Sequence, residues 1–367
     1  MKTTIYSPPR QNGNQTVSQM MKTVIYCLCP GIILSTWFFG IGVLLNIAVA
    51  LITALLIESL CLKLRGRTVA IELQNFSIVV TAILFAISIP PGTTWTLVVA
   101  GIGFAVIVGK HIYGGLGQNP FNPAMAGYLF LLLSFPSNMT TWHIPVAEVA
   151  QHADNYPLGL TGIKHSLVAS FPFILFDSTA SQNLIDGMAM ATPLIEYKMA
   201  SPNALAVAWE SRNPLWSPAS DTGWELINLS YLIGGIVLLA KGIIRWQIPT
   251  AILCTVAALA MIFYTPSSAA ITGTPYMHLL GSATMLGAFF IATDPVSAAT
   301  TKVGRLIYGV LIGVIIYSIR VWGSYLDAVA IAIIFANFCA PLLDYFFQPR
   351  VYGKPSSLTQ ILSRKAP

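Results

Sequence analysis

The chain has 367 residues, of which 55% are hydrophobic and only 9% charged, with 19 Lys+Arg against 13 Asp+Glu. Soluble domains carry about 25% charged residues, so a water-facing shell cannot be built from this supply. A cytosolic enzyme, a nucleic-acid-binding domain and a disordered scaffold are excluded. The composition is that of an integral membrane protein, and its net charge of +6 is first a statement about topology.

Residues 1–22 are polar, and the apolar stretch after them runs on for about 40 residues without an A-x-A site, too long for a cleavable signal. A crossing needs about 20 apolar residues. Hydropathy predicts ten spans, at 23–40, 42–62, 70–89, 94–111, 122–136, 224–240, 247–264, 275–292, 304–319 and 324–343. The third carries Glu72 and the fifth is short, which predicts broken or tilted helices there. Pro90-Pro91-Gly92, Thr265-Pro266-Ser267-Ser268 and Trp322-Gly323 supply turn chemistry between spans. Cys27, Cys29, Cys61, Cys254 and Cys339 all lie in or beside apolar runs, without metal-ligand spacing, and are expected to be buried structural thiols.

Ten spans put both termini on one side. With that side cytoplasmic, every basic residue except Lys164, Lys198, Arg212 and Arg320 falls inside, as the positive-inside rule requires. The segment 137–223 breaks the rhythm. It holds Glu148, Asp154, Asp177, Asp186, Glu196, Glu210 and Asp221, together with His143, His152 and His165, and is too long for an idle connector. The expected organisation is therefore a cytoplasmic segment 1–22, a five-helix repeat 23–136, an extracytoplasmic cap 137–223, a second five-helix repeat 224–343 and a cytoplasmic tail 344–367.

Five spans per half force the halves into opposite orientations. Asn119-Pro120-Phe121-Asn122-Pro123-Ala124 and Thr293-Asp294-Pro295-Val296-Ser297-Ala298 read as matching Pro-interrupted segments, each two spans after a basic turn. The expected fold is all-α, ten transmembrane helices as two inverted five-helix repeats, with a site between the halves.

The stretch Gly114-Gly115-Leu116-Gly117-Gln118-Asn119-Pro120-Phe121-Asn122-Pro123 is the most informative in the membrane part. Glycines permit close backbone approach, prolines free carbonyls upstream, and amides offer donors and acceptors. Asn119 and Asn122 share a face if helical. That face suits a planar heterocycle such as an isoalloxazine or pterin; equally, the amides could cap neighbouring helices. Asp294 reads as a helix cap before Pro295 or as an ion ligand. Among acids near span ends (Glu58, Glu72, Asp327, Asp344), Glu72 reads as the deepest and, with Asp294, as a point on an ion path. Histidines have no metal-ligand spacing, so no metal is expected, and hydrolase or nucleotide-pump motifs do not occur. In the cap, Asp186-Gly187-Met188-Ala189-Met190-Ala191-Thr192-Pro193-Leu194 is a small-residue run ending at a hydroxyl.

These segments, in this order, resemble the D subunit of the Rnf-type ion-translocating electron-transport complex and, more distantly, the B subunit of the sodium-pumping NADH:quinone reductase. The resemblance covers essentially the whole chain. It rests on Gly114–Met125, on Ala191-Thr192-Pro193-Leu194 and on Thr293-Asp294-Pro295-Val296-Ser297. It implies FMN held on Thr192 by a phosphoester and a riboflavin contacted by Asn119 and Asn122. Ala189 and Met190 stand where the B-subunit relatives read Ser and Gly. It implies a flavoprotein translocase subunit of the bacterial inner membrane that relays electrons between ferredoxin and NAD and helps move Na⁺ or H⁺. Implied partners are iron–sulfur and NADH-side subunits, a second FMN-bearing subunit, two small membrane subunits, a flavin transferase for maturation, and membrane lipid. The competing reading is a cofactor-free channel of the urea or ammonium conductor type, which uses the same repeat and leaves the cap unexplained.

Overall fold

The computed structural model describes residues 16–115, 117–140, 142–143, 166–167, 169–171, 189–190, 223–264, 274–323 and 328–347. Among them, the chain is helical apart from one antiparallel pair of two-residue strands. β1 (Trp142–His143) sets Trp142 opposite Met190 and His143 opposite Ala189 of β2 (Ala189–Met190).

Helix α1 (Val17–Phe39) starts before the hydropathy limit because Thr16 and Gln19 close a capping box. The Gln19 N–H donates to Thr16 Oγ1 (3.3 Å) and the Thr16 N–H to Gln19 Oε1 (3.0 Å). α2 (Gly42–Leu64) follows. The expected third span is two pieces, α3 (Val69–Leu73) and α4 (Ser77–Ser88), broken at Phe76, whose φ of 56° is left-handed. That conformation is costly for a bulky residue. Lys22 Nζ lies 4.8 Å from the centre of the Phe76 ring, packing α1 onto the break. α5 (Trp95–Val106) runs into a π-turn, Ile107–His111; α6 (Pro123–Ser134) and α7 (Pro136–Thr140) close the first half.

The second half comprises α8 (Trp224–Ala240), α9 (Gln247–Ile262) and a broken unit. That unit is α10 (Pro275–Leu280), the single turn α11 (Thr284–Leu286) and a second π-turn, Gly287–Ile291. α12 (Lys302–Val321) and α13 (Val329–Phe346) complete it. Buried Arg320 of α12 braces the break, with Nη1 donating to His278 O (2.7 Å) and Nη2 to Ser282 Oγ (2.9 Å).

Among the described residues, four helices, α1, α2, α12 and α13, are long and apolar enough to cross a membrane. The shorter apolar helices α4, α5 with its π-turn, α6, α8 and α9, together with the broken α10–α11 unit, fall on the remaining six expected spans. Large apolar side chains such as Tyr26, Trp37, Leu56, Trp246 and Phe338 face outward, an arrangement that lipid solvates and water does not. Cys29 and Cys254 are also exposed, contrary to the expectation of buried thiols; only Cys27 is buried, and all five are unpaired. Lipid tails are as apolar as a protein interior, so a thiol gains nothing by turning inward.

Within the first half, α2 packs on α4 and α5, and α5 on α6. Within the second, α9 packs on α10 and α12, and α12 on α13. Across the halves, α1 packs on α8 and α6 on α13. Glycines set the α1–α8 approach: a Cβ at Gly31 would collide with the Tyr231 ring, and one at Gly234 with the main-chain carbonyl of Cys27. Most of the expected cap, 137–223, lies outside the described residues.

Candidate functional site between the two halves

A cavity of about 360 Å³ lies where the halves meet. Its walls are apolar: Met20, Met21 and Val24 of α1, Val80 and Leu84 of α4, Leu238 of α8, and Phe289 and Phe290 of the second π-turn. Its polar side chains come from few places: Ser77, Thr81, Lys110, Asn119, Asn122, Thr293 and Asp294. An apolar slot with a few convergent polar groups is the usual form of a cofactor site.

Both Pro-containing motifs line this one cavity, each following a π-turn. That overturns their expected relation as equivalents in an inverted repeat. The first follows the fourth helical unit of its half, and the second follows the third. The two segments nevertheless meet: Asn122 Nδ2 donates to Ile291 O at 3.3 Å.

Asn122 is the N-cap of α6. Its Oδ1 accepts from the N–H of Ala124 (3.0 Å) and Met125 (3.4 Å), with Pro123 at the first helical position. Asn119 is 5% exposed and spends one N–H on Phe121 O (2.9 Å), which leaves its Oδ1 and a second N–H for a ligand. The two alternatives read from sequence thus divide between the residues: Asn122 caps, while Asn119 has spare hydrogen-bonding capacity at the cavity. No helix starts at Pro295, contrary to the cap reading: the chain turns there, and Asp294 accepts from Ser297 Oγ (2.7 Å) within that turn.

The acid buried deepest among the described residues is Glu58, 4% exposed, rather than Glu72. Glu72 lies on the short α3, outside the long apolar helices, half-buried, with Arg67 Nη1 at 3.7 Å and the Asn75 amide at 3.4 Å. Glu58 accepts from Lys110 Nζ (2.7 Å) through Oε1 and pairs with His111 Nε2 (2.9 Å) through Oε2. Consecutive residues of an α-helix point about 100° apart; the π-turn, with its wider winding, delivers Lys110 and His111 to one carboxylate.

Sequence reasoning misses Asn337 and Tyr308. Asn337 of α13 is 1% exposed. Its Oδ1 accepts from the Asn122 N–H (3.1 Å), and its Nδ2 donates to Ser297 O (3.3 Å) and to the Tyr308 hydroxyl oxygen (2.6 Å). The signal that could have found it is a lone amide in the apolar run Val329–Phe346, where a polar side chain needs a partner.

A second, smaller cavity of about 70 Å³ lies toward the other end. Phe39, Trp142 and Trp224 line it in mutual ring contact, with centroids 4.9–5.8 Å apart. Tyr128, Tyr231 and Asn228 also stand in its wall. Thr192 itself lies outside the described residues.

These features define a class: a helical membrane protein with two cavities on the seam between its halves, one polar-edged and one aromatic. Within that class, the chain belongs to the NQR2, RnfD, RnfE family, whose model matches residues 4–353. It is similar to proteins named as the D subunit of an ion-translocating oxidoreductase complex. The one from Vibrio atlanticus (strain LGP32) is 42% identical over 355 residues, 95% of this chain and 99% of the relative. That from Salmonella paratyphi A is 45% identical over 350 residues, 95% and 98% respectively.

Proposed function

We propose that this chain is the flavin-bearing membrane subunit of a redox-driven ion pump, an ion-translocating oxidoreductase complex of the Rnf type. In this reading it relays electrons between ferredoxin and NAD through FMN on Thr192 and a riboflavin in the larger cavity. The observation that carries it is the cavity at the seam, whose walls and spare polar groups fit an isoalloxazine. Met20, Met21, Phe289 and Phe290 would cover the ring, and Asn119 and Lys110 would meet its polar edge. A flavin bound there supplies one- and two-electron chemistry; the chain supplies position, electrostatics and exclusion of water.

The second cavity supports the site on Thr192. Thr192 follows Met190 by two residues, so at most about 7 Å of chain separates them. Met190 is paired with Trp142, a wall residue of the aromatic cavity. A flavin tethered at Thr192 therefore has aromatic surface within reach. Ten helical passes in two inverted halves are supported by the packing pattern. First helices pair with each other (α1 with α8), as do fifth helices (α6 with α13), and internal pairings repeat between halves. Both termini are then cytoplasmic and 137–223 periplasmic, in a bacterial inner membrane. Asp294 at the cavity and Glu72 at α3 are the acidic stations for Na⁺ or H⁺, whose movement follows if flavin reduction biases the halves between two arrangements. Partners are the iron–sulfur, NADH-side, second FMN-bearing and small membrane subunits, with a flavin transferase acting in maturation.

A phosphoester survives denaturation and a bound flavin does not. The chain co-expressed with its transferase, denatured and run on a gel, should fluoresce under ultraviolet light, and Thr192→Val should run dark. Acid extraction of the native complex should release riboflavin from both. A dark wild-type band and a flavin-free extract together would leave the cofactor-free conductor as the better reading.

A further inference from the structure

We propose that the Lys110–Glu58 pair sets the redox potential of the ring in the larger cavity, with Lys110 as the charge that favours the reduced form. The inference rests on the flavin reading of that cavity. Lys110 and Glu58 are each 4% exposed and His111 8%. Ions so deeply buried need close partners, and Lys110 Nζ has its counter-ion in Glu58 Oε1 at 2.7 Å, with Ser77 Oγ at 3.4 Å. An ammonium carries three N–H donors, so one remains, on a side chain that lines the cavity. Glu58 stands behind it on α2, its second oxygen held by His111 Nε2 at 2.9 Å. The ammonium is thus the member of the pair that the cavity meets first, and the carboxylate is the fixed opposing charge.

The chemistry requires no bond to break. An electron from a neighbouring carrier of the oxidoreductase complex enters the ring, which gains one negative charge while the carrier loses one. In an interior of low dielectric, a charge a few ångströms away acts far more strongly than in water. The Lys110 ammonium stabilises the added charge and the Glu58 carboxylate opposes it. Removing one member or the other must therefore move the potential in opposite directions, whereas loss of packing alone has no reason to invert its sign.

The test is spectroelectrochemical titration of the extractable, non-covalent flavin in the purified complex with all its subunits. Lys110→Met should bind the reduced ring about tenfold less tightly relative to the oxidised one, lowering the potential by about 59 mV for one electron. Glu58→Gln, nearly isosteric, should raise it, and Lys110→Arg should stay close to wild type. Flavin retained at unchanged potential in Glu58→Gln, or a shift of the same sign in Lys110→Met and Glu58→Gln, overturns the inference alone. If Lys110→Met does not assemble, the sign in Glu58→Gln still decides. A wild-type complex with no extractable flavin overturns the cavity reading and this inference together.

Discussion

The side-chain amide of Asn122 donates to the main-chain carbonyl of Ile291, 169 residues further along the chain, at 3.3 Å. One side chain therefore caps α6 in the first half and ties down the end of a π-turn in the second. In Asn122→Leu the cap is lost, at about 1 kcal/mol, and the Ile291 carbonyl loses its donor, at about 1–3 kcal/mol if it stays buried. Riboflavin should be shed during purification while fluorescence of the denatured chain is unchanged. Asn119→Leu, which removes a bond only to Phe121 O, should lower riboflavin content with a smaller loss of thermal stability. Unchanged riboflavin in both variants would restrict these amides to capping.

Asn337 and Tyr308 allow a graded test of the buried network. Asn337→Leu leaves the Asn122 N–H and the Ser297 carbonyl without their partner, and each buried orphan costs about 1–3 kcal/mol. Tyr308→Phe removes one hydroxyl and leaves both of those bonds in place. The unfolding temperature of the detergent-solubilised protein should fall clearly for the first and slightly for the second. The reverse order would show that Tyr308, not Asn337, anchors the cluster.

Gly234 and Gly242 separate crowding from backbone strain. A Cβ at Gly234 would meet the Cys27 carbonyl and the Phe290 ring, so Gly234→Val forces α1 and α8 apart, at about 1–3 kcal/mol or more. Gly242 has φ of 67° and nothing within 4 Å of an added Cβ, so Gly242→Ala costs only the left-handed conformation, about 1–2 kcal/mol. Membrane yield and melting should order as wild type, Gly242→Ala, then Gly234→Val.

Alkaline phosphatase fused at about residue 180 should be active, and the same enzyme fused at the C-terminus inactive, because basic residues concentrate on the side assigned to the cytoplasm. The opposite pattern of activity would invert the orientation.

Hydropathy is enough to place the helical units, since a crossing leaves little freedom in composition: α8 occupies 224–240, the limits read from sequence. Breaks within units are less legible. Pro90-Pro91-Gly92 announces a turn, but nothing marks Phe76 as left-handed or Ile107–His111 and Gly287–Ile291 as π-turns. These depend on what packs against them: Lys22 on Phe76, and Glu58 on Lys110 and His111. Asn119, Asn122 and Asp294 are legible because they stand in proline-rich polar segments. In the sequence Lys110 counts only toward orientation, and Glu58 reads as a span-end acid that water or some Lys or Arg could satisfy, with nothing to say which. The pairing that buries both crosses 52 residues, a distance that local pattern does not register.

The two cavities share their walls. α1, α4, α6, α8 and the stretch from Ser282 to Phe290 line both, the aromatic one at one end and the polar-edged one at the other. Between these ends, α8 meets its neighbours at Gly234 and Gly235, against Cys27, Phe289 and Phe290, with no room for a side chain. The walls of both cavities therefore hang on one joint, set by two residues that have no side chain.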